Sequence, residues 1–234
     1  MKSEALYGIP WRQAGGVVVA VVLLAVGSMI EGRTRRGQPA RGDGWLGIRA
    51  VAANFAWIGA QAAWEREDPV ATTAAIQRAV TWDPDRSLFW LNGARMMAYD
   101  LAAWRIAGAG GPGVLPAALE QRWRDEQARR ALAHLAAARA LHPHDFNLPI
   151  EQGNIELWAR GNLAGAAAAF GQAANMAGAP DYALRLEIGL LRRLGRAPEA
   201  LRRLEERRAV RHPSGVWINE AIELLRWELE IPNH

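Results

Sequence analysis

Three clusters in this chain carry residue types that do chemistry. Gly108, Gly110 and Gly113 match the GxGxxG spacing of a dinucleotide turn. That turn needs a strand before it and a helix opening within it. The run before it, Leu88 to Ile106, reads as helix, and Pro112 removes an N–H that a phosphate would use. His142-Pro143-His144-Asp145 has the look of a metal cluster. A metal site needs three or four converging ligands, and no further His lies close in sequence. A favourable charge at a helix end for His142 and capping for Asp145 account for both residues. Glu65, Glu67 and Asp68 place three acids in four residues, where acid–base work would need two carboxylates facing across a cleft. They fall at a predicted turn, and Asp68 suits a helix cap.

Composition removes further classes. The 234 residues include no Cys, which excludes disulfides, thiolate metal sites and a cysteine nucleophile. Lys2 is the only lysine, so neither a Schiff base nor a P-loop lysine is available beyond the first residues. No nucleophile-elbow motif is present. We therefore assign no catalytic residue, no metal site, no cofactor and no small-molecule substrate.

The elements that must position any site begin with an apolar leader. Gln13 to Ile30 holds no charged residue, with Trp11 and Arg12 at its edge and Glu31, Arg33, Arg35 and Arg36 ending it. Residues 1–12 read as a tail and 13–31 as a single transmembrane anchor at the short end of what spans a bilayer. A cleaved signal ending at Ala25-Val26-Gly27 is the alternative. Arg33, Arg35, Arg36, Arg41 and Arg49 outnumber Lys2 and Arg12, which favours a cytoplasmic carboxy-terminal domain at an inner membrane. The opposing consideration is that a single amino-terminal anchor often exports the domain behind it, to the periplasmic side. Residues 32–44, rich in Gly and Pro, read as a flexible tether.

From residue 45 onward Ala, Leu, Arg and Glu dominate and no alternating β-branched run appears, so an all-α domain over 45–231 is expected. Pro84, Pro143, Pro180 and Pro213 punctuate the helical runs at separations of 59, 37 and 33 residues. Two of these approach a 34-residue period, and the first is that period with an insertion. Asp68-Pro69 and Asp181 fit helix starts, while Gly161 and Gly195 fit left-handed helix ends.

The residues carrying this period are Ile76, Ala79 and Pro84; Trp90, Gly93, Ala94, Ala131, Leu135, Ala138 and Pro143; Gly153, Gly161, Ala166, Phe170 and Ala173; and Gly195, Ala200 and Leu204. In this the chain resembles tetratricopeptide repeat (TPR) proteins. Ala56, Thr72 and Arg207 depart from the pattern. The resemblance implies a TPR-like α-solenoid of about four hairpins, 53–86, 87–145 with an insertion at 106–116, 146–180 and 181–213, closed by a capping helix at 214–231. It implies a scaffold or adaptor that binds a protein or peptide partner in a groove lined by the first helix of each hairpin. Asn92, Arg95 and Tyr99, Asn154 and Trp158, and Arg185 are the lining residues so implied. Arg95 and Arg185 would clamp a carboxylate, and Asn92 and Asn154 would bind peptide backbone. A permanent structural subunit of a membrane complex is the alternative.

Two compositional features remain. Asp181 to Pro213 holds nine Arg against five acids, a surplus of +4. It reads as a solvated face of helical ion pairs or, second, as attraction to an anionic membrane; nucleic acid is not expected, because aromatic interleaving is missing. The 11 Trp at helical spacing are expected mostly in the core.

Overall fold

The computed structural model describes residues 43–210 and 216–230. The expected anchor at 13–31, with the tail and most of the tether, lies outside these residues. Among the described residues no helix is long and apolar enough to cross a membrane.

The described chain is all-α. Helix α1 spans Asp43–Glu65 and α2 spans Pro69–Trp82. Helix α3 (Ser87–Arg95) continues through a π-helical turn (Met96–Asp100) into α4 (Leu101–Gly108). Then come α5 (Ala117–Leu141), α6 (Asn147–Trp158), α7 (Leu163–Ala174), α8 (Asp181–Arg193), α9 (Ala197–Val210) and α10 (Val216–Glu230).

Local chemistry sets the boundaries. Asp68 accepts from the backbone N–H of Val70 and Ala71 at 3.1 and 2.9 Å, with Pro69 opening α2. This answers donors that the first turn leaves without partners. Asp145 accepts from the Asn147 N–H at 2.9 Å and Asn162 from that of Gly165 at 3.1 Å. Asp181 is the first residue of α8, behind Pro180 in the capping position. Gly161 and Gly195 take left-handed conformations, φ 67° and 71°, as helices end there. Between α4 and α5, Gly110, Gly111 and Gly113 also have positive φ. This loop joins two helices, so the glycine triplet lacks the strand that a dinucleotide turn needs.

Packing follows chain order. α1 lies on α2, α6 on α7, α7 on α8 and α8 on α9, while α3, the π turn and α4 all rest on α5. Contacts between α3 and α6 join the first helices of successive pairs. One cluster of buried residues gathers Ile76, Phe89, Trp90, Leu135 and Leu148. A second gathers Phe170, Leu184, Leu191, Leu204 and Ile222. Helix α6 feeds both, Leu148 and Ile155 facing the first and Ile150 the second.

The apolar residues that carry the period are all in these cores. Ile76, Ala79, Ala94, Ala131, Leu135, Ala138, Ala166, Phe170, Ala173, Ala200 and Leu204 are essentially closed to solvent. Gly93 lies where an added Cβ would meet Ile76 Cγ2 at 2.6 Å and His134 Nε2 at 3.1 Å. At Gly153 it would meet three ring atoms of Phe170 at 2.8–2.9 Å. Both glycines are what lets helices close to contact.

The tryptophans depart from expectation. Among those whose burial is described, only Trp90 is fully buried. Trp64, Trp82, Trp158 and Trp227 are exposed. The alanine-rich crossings leave no room for more indoles, so the rings lie along their rims. Trp57 stacks on Phe89 at 5.2 Å, and Arg105 and Arg185 lie over Trp123 and Trp217 at 4.2 and 4.6 Å.

Candidate functional site

Helices α3 and α6 meet at a buried carboxylate. Glu151 is buried on α6, its side chain 2% accessible. Its Oε2 accepts from Arg95 Nε at 2.8 Å and lies 2.7 Å from a terminal guanidinium nitrogen. Burying a charge is tolerable only when it is paired and hydrogen-bonded. Arg95 answers that need from across the helix interface, yet its side chain stays 54% accessible. Asn154 donates to the same oxygen at 3.5 Å, and Arg95 Nη1 reaches Asn92 Oδ1 at 3.5 Å, both at the long edge of hydrogen bonding.

Two phenols lie within electrostatic reach of the pair. The hydrogen bond to Glu151 raises the Arg95 pKa above its ordinary value; burial works against it, and Glu151, Tyr99 and Tyr182 add to it. Tyr182 stands on α8, within electrostatic reach of that guanidinium. Burial, then the Glu151 charge, pushes the Tyr99 phenol up to about 12, which keeps it a neutral hydrogen-bonding group. Tyr99 sits in the π turn, a feature that often marks working sites in helices.

The structure thus brings together Asn92, Arg95, Tyr99 and Asn154 of the expected lining. Trp158 lies two helical turns beyond Glu151 on the same side of α6 and is 73% exposed. Arg185 is exposed on α8, with its guanidinium stacked on Trp217 of α10. The two arginines expected to clamp a carboxylate therefore have different settings: Arg95 already holds one from its own chain, and Arg185 covers an indole. Glu151 and Tyr182 went unmarked in the sequence. Glu151 carried a readable signal, three positions before Asn154 and two before the crossing Gly153.

Two other carboxylates, Glu156 and Glu187, are buried in the same way. Arg160 holds Glu156 and Asp125 at 2.9 and 2.7 Å. Arg203 donates to both oxygens of Glu187 at 2.8 and 3.1 Å and to Asn175 at 3.0 Å. Gly171 makes room there, since an added Cβ would lie 2.6 Å from Glu187. Arg203, Arg207, Asn175, Glu206 and Leu184 line a cleft of about 280 Å³. Its polar groups are turned onto one another, and Arg207 donates to the Ala174 carbonyl at 2.6 Å. The basic carboxy-terminal stretch is likewise paired at Arg196–Glu199, Arg202–Glu206 and, onto α10, Arg192–Glu228 and Glu205–Arg226.

The remaining chemical candidates resolve into structure. His142 Nε2 lies 2.8 Å from the Pro84 carbonyl, which also accepts from the Trp90 indole at 2.9 Å. Among the described residues no group of three or more acids or histidines is placed to hold a metal ion. A scan against protein-family models finds no match, and a search of curated proteins finds none either.

Proposed function

We propose that this protein is a membrane-anchored, TPR-like scaffold that holds a protein or peptide partner at the inner membrane. The observation that carries the reading is the Arg95–Glu151 pair: it ties the first helices of successive hairpins while leaving half of Arg95 facing outward. Beyond it α6 presents the half-buried Asn154 and the exposed Trp158, and α8 the exposed Tyr182, an aromatic and hydrogen-bonding surface. Packing of helices on their neighbours in chain order and glycines at the crossings support a solenoid arrangement, in which such faces form one concave groove. Exposed Trp and Tyr are the residue types that anchor protein interfaces. The uncharged run at 13–30 supports the anchor, and its charged flanks support a cytoplasmic domain.

The test is to purify the full chain from detergent-solubilised membranes and identify what accompanies it. We expect one recurrent protein, lost from a Trp158→Ala/Tyr182→Ala variant with unchanged helix content. Repeated recovery of the bare chain overturns the reading.

A second reading, a permanent subunit of a membrane complex, draws on the exposed Leu224, Trp227 and Leu229 of α10. Under it the solubilised chain aggregates without its neighbours, whereas an adaptor runs as a monodisperse monomer.

A further inference from the structure

Helix α1 has two apolar faces and uses one. Ala53, Ala60 and Ala63 face α2 and are buried. Opposite them Ile48, Val51, Phe55, Ile58 and Ala62 form a stripe at alternating three- and four-residue steps, with Gly59 beside it. Ile48, Phe55 and Ile58 are 60%, 52% and 41% exposed. Residues 50–64 contain no charge at all. A helix ending a stack of repeats is expected to turn a polar face outward. This one turns out a greasy face, and among the described residues no element covers it.

The chain before α1 indicates the cover. Residues 31–42 join the uncharged run to α1 and carry Arg33, Arg35, Arg36 and Arg41 against Glu31 alone. A random-coil segment of twelve residues has a mean end-to-end distance of ~20 Å. If the run at 13–30 spans a bilayer, α1 is held close to its surface, beside a basic segment that anionic headgroups attract. An apolar helix face next to basic residues is the pattern of a helix lying in the membrane interface. Pairing with a second copy fits less well. The stripe is about 21 Å long and ~10 Å wide, so it would bury ~200 Å² a side, where stable interfaces need about 800 Å².

We infer that the outward face of α1 lies on the anionic lipid surface at the foot of the anchor, fixing the repeat domain against the bilayer. The inference rests on the anchor proposed above, and the test separates the two. The chain has no cysteine, so Val22→Cys, Ile58→Cys or Arg193→Cys each gives one labelling site in the full protein. Each variant is labelled with bimane and reconstituted into phosphatidylcholine–phosphatidylglycerol vesicles, with and without brominated acyl chains; circular dichroism confirms helix content. We expect the Ile58 label to be blue-shifted and quenched about threefold more than the Arg193 label, as an interfacial helix face would be. A water-like, unquenched Ile58 label beside a quenched Val22 label overturns the inference and leaves the anchor standing. If neither label is quenched, both fall. A blue-shifted Ile58 label that bromine does not quench means that protein covers the stripe, and overturns the lipid assignment.

Discussion

The two cores of this molecule solve the same packing problem by different means. In the first, rings fill the space: Trp90 and Phe89 are buried, and the Trp90 ring lies 4.7 Å from that of His134. His134 is itself buried, and among the described residues its Nε2 has no hydrogen-bond partner. In the second, alanines from α7 bring helices close around Phe170, and the buried Glu187 there is ion-paired with Arg203. Both cores pair buried carboxylates with arginine, Glu151 with Arg95 and Glu187 with Arg203, but the first also hides a titratable group kept neutral. A repeat pattern therefore fixes where the small residues go without fixing how the gaps are filled.

The largest test of this contrast is Phe170→Ala. The ring is fully enclosed and fills the crossing of α6 and α7. A loss of about 4 kcal/mol is expected, read as an earlier urea midpoint of the solubilised chain.

Acid should separate the cores next. Burial lowers the His134 pKa from 6.5 to about 4. The unfolded chain then takes the proton first, so stability is whole above pH 6.5 and falls as the pH drops toward 4. The loss is about 3 kcal/mol. Thermal melts across that window check it, and His134→Leu should flatten this part of the slope.

The smallest effect sharpens the contrast through one residue type. Gly153→Ala drives a methyl into the Phe170 ring and should cost about 2 kcal/mol. Gly59→Ala, in the middle of α1 with nothing within 4 Å, should gain about 1 kcal/mol from helix propensity. Paired melts of the two variants check for opposite signs.

Much of the fold was legible because its signals are local. The Asp68-Pro69 start, the left-handed Gly161 and Gly195, and the apolar period from Ile76 to Leu204 each depend on a few adjacent residues, and each matches the structure. The site was less legible. Glu151 looks like any surface glutamate until α3 is laid beside it, because its burial depends on Arg95, 56 positions away. The tryptophans misled for a related reason: burial depends on the space between helices, and alanine had already closed that space. Glu67, at φ 54°, strains the turn between α1 and α2 with no glycine to announce it.

The π turn at Met96–Asp100 has a consequence for the timing of the whole rod. Trp90, Ala94, Ala98, Ala102 and Ile106 are all buried, one every fourth position. In an ideal α-helix steps of four advance about 400°, so five such residues would creep roughly 160° around the axis and the last would swing toward water. A single wider coil resets the beat, so one edge of a long rod stays against α5 from end to end.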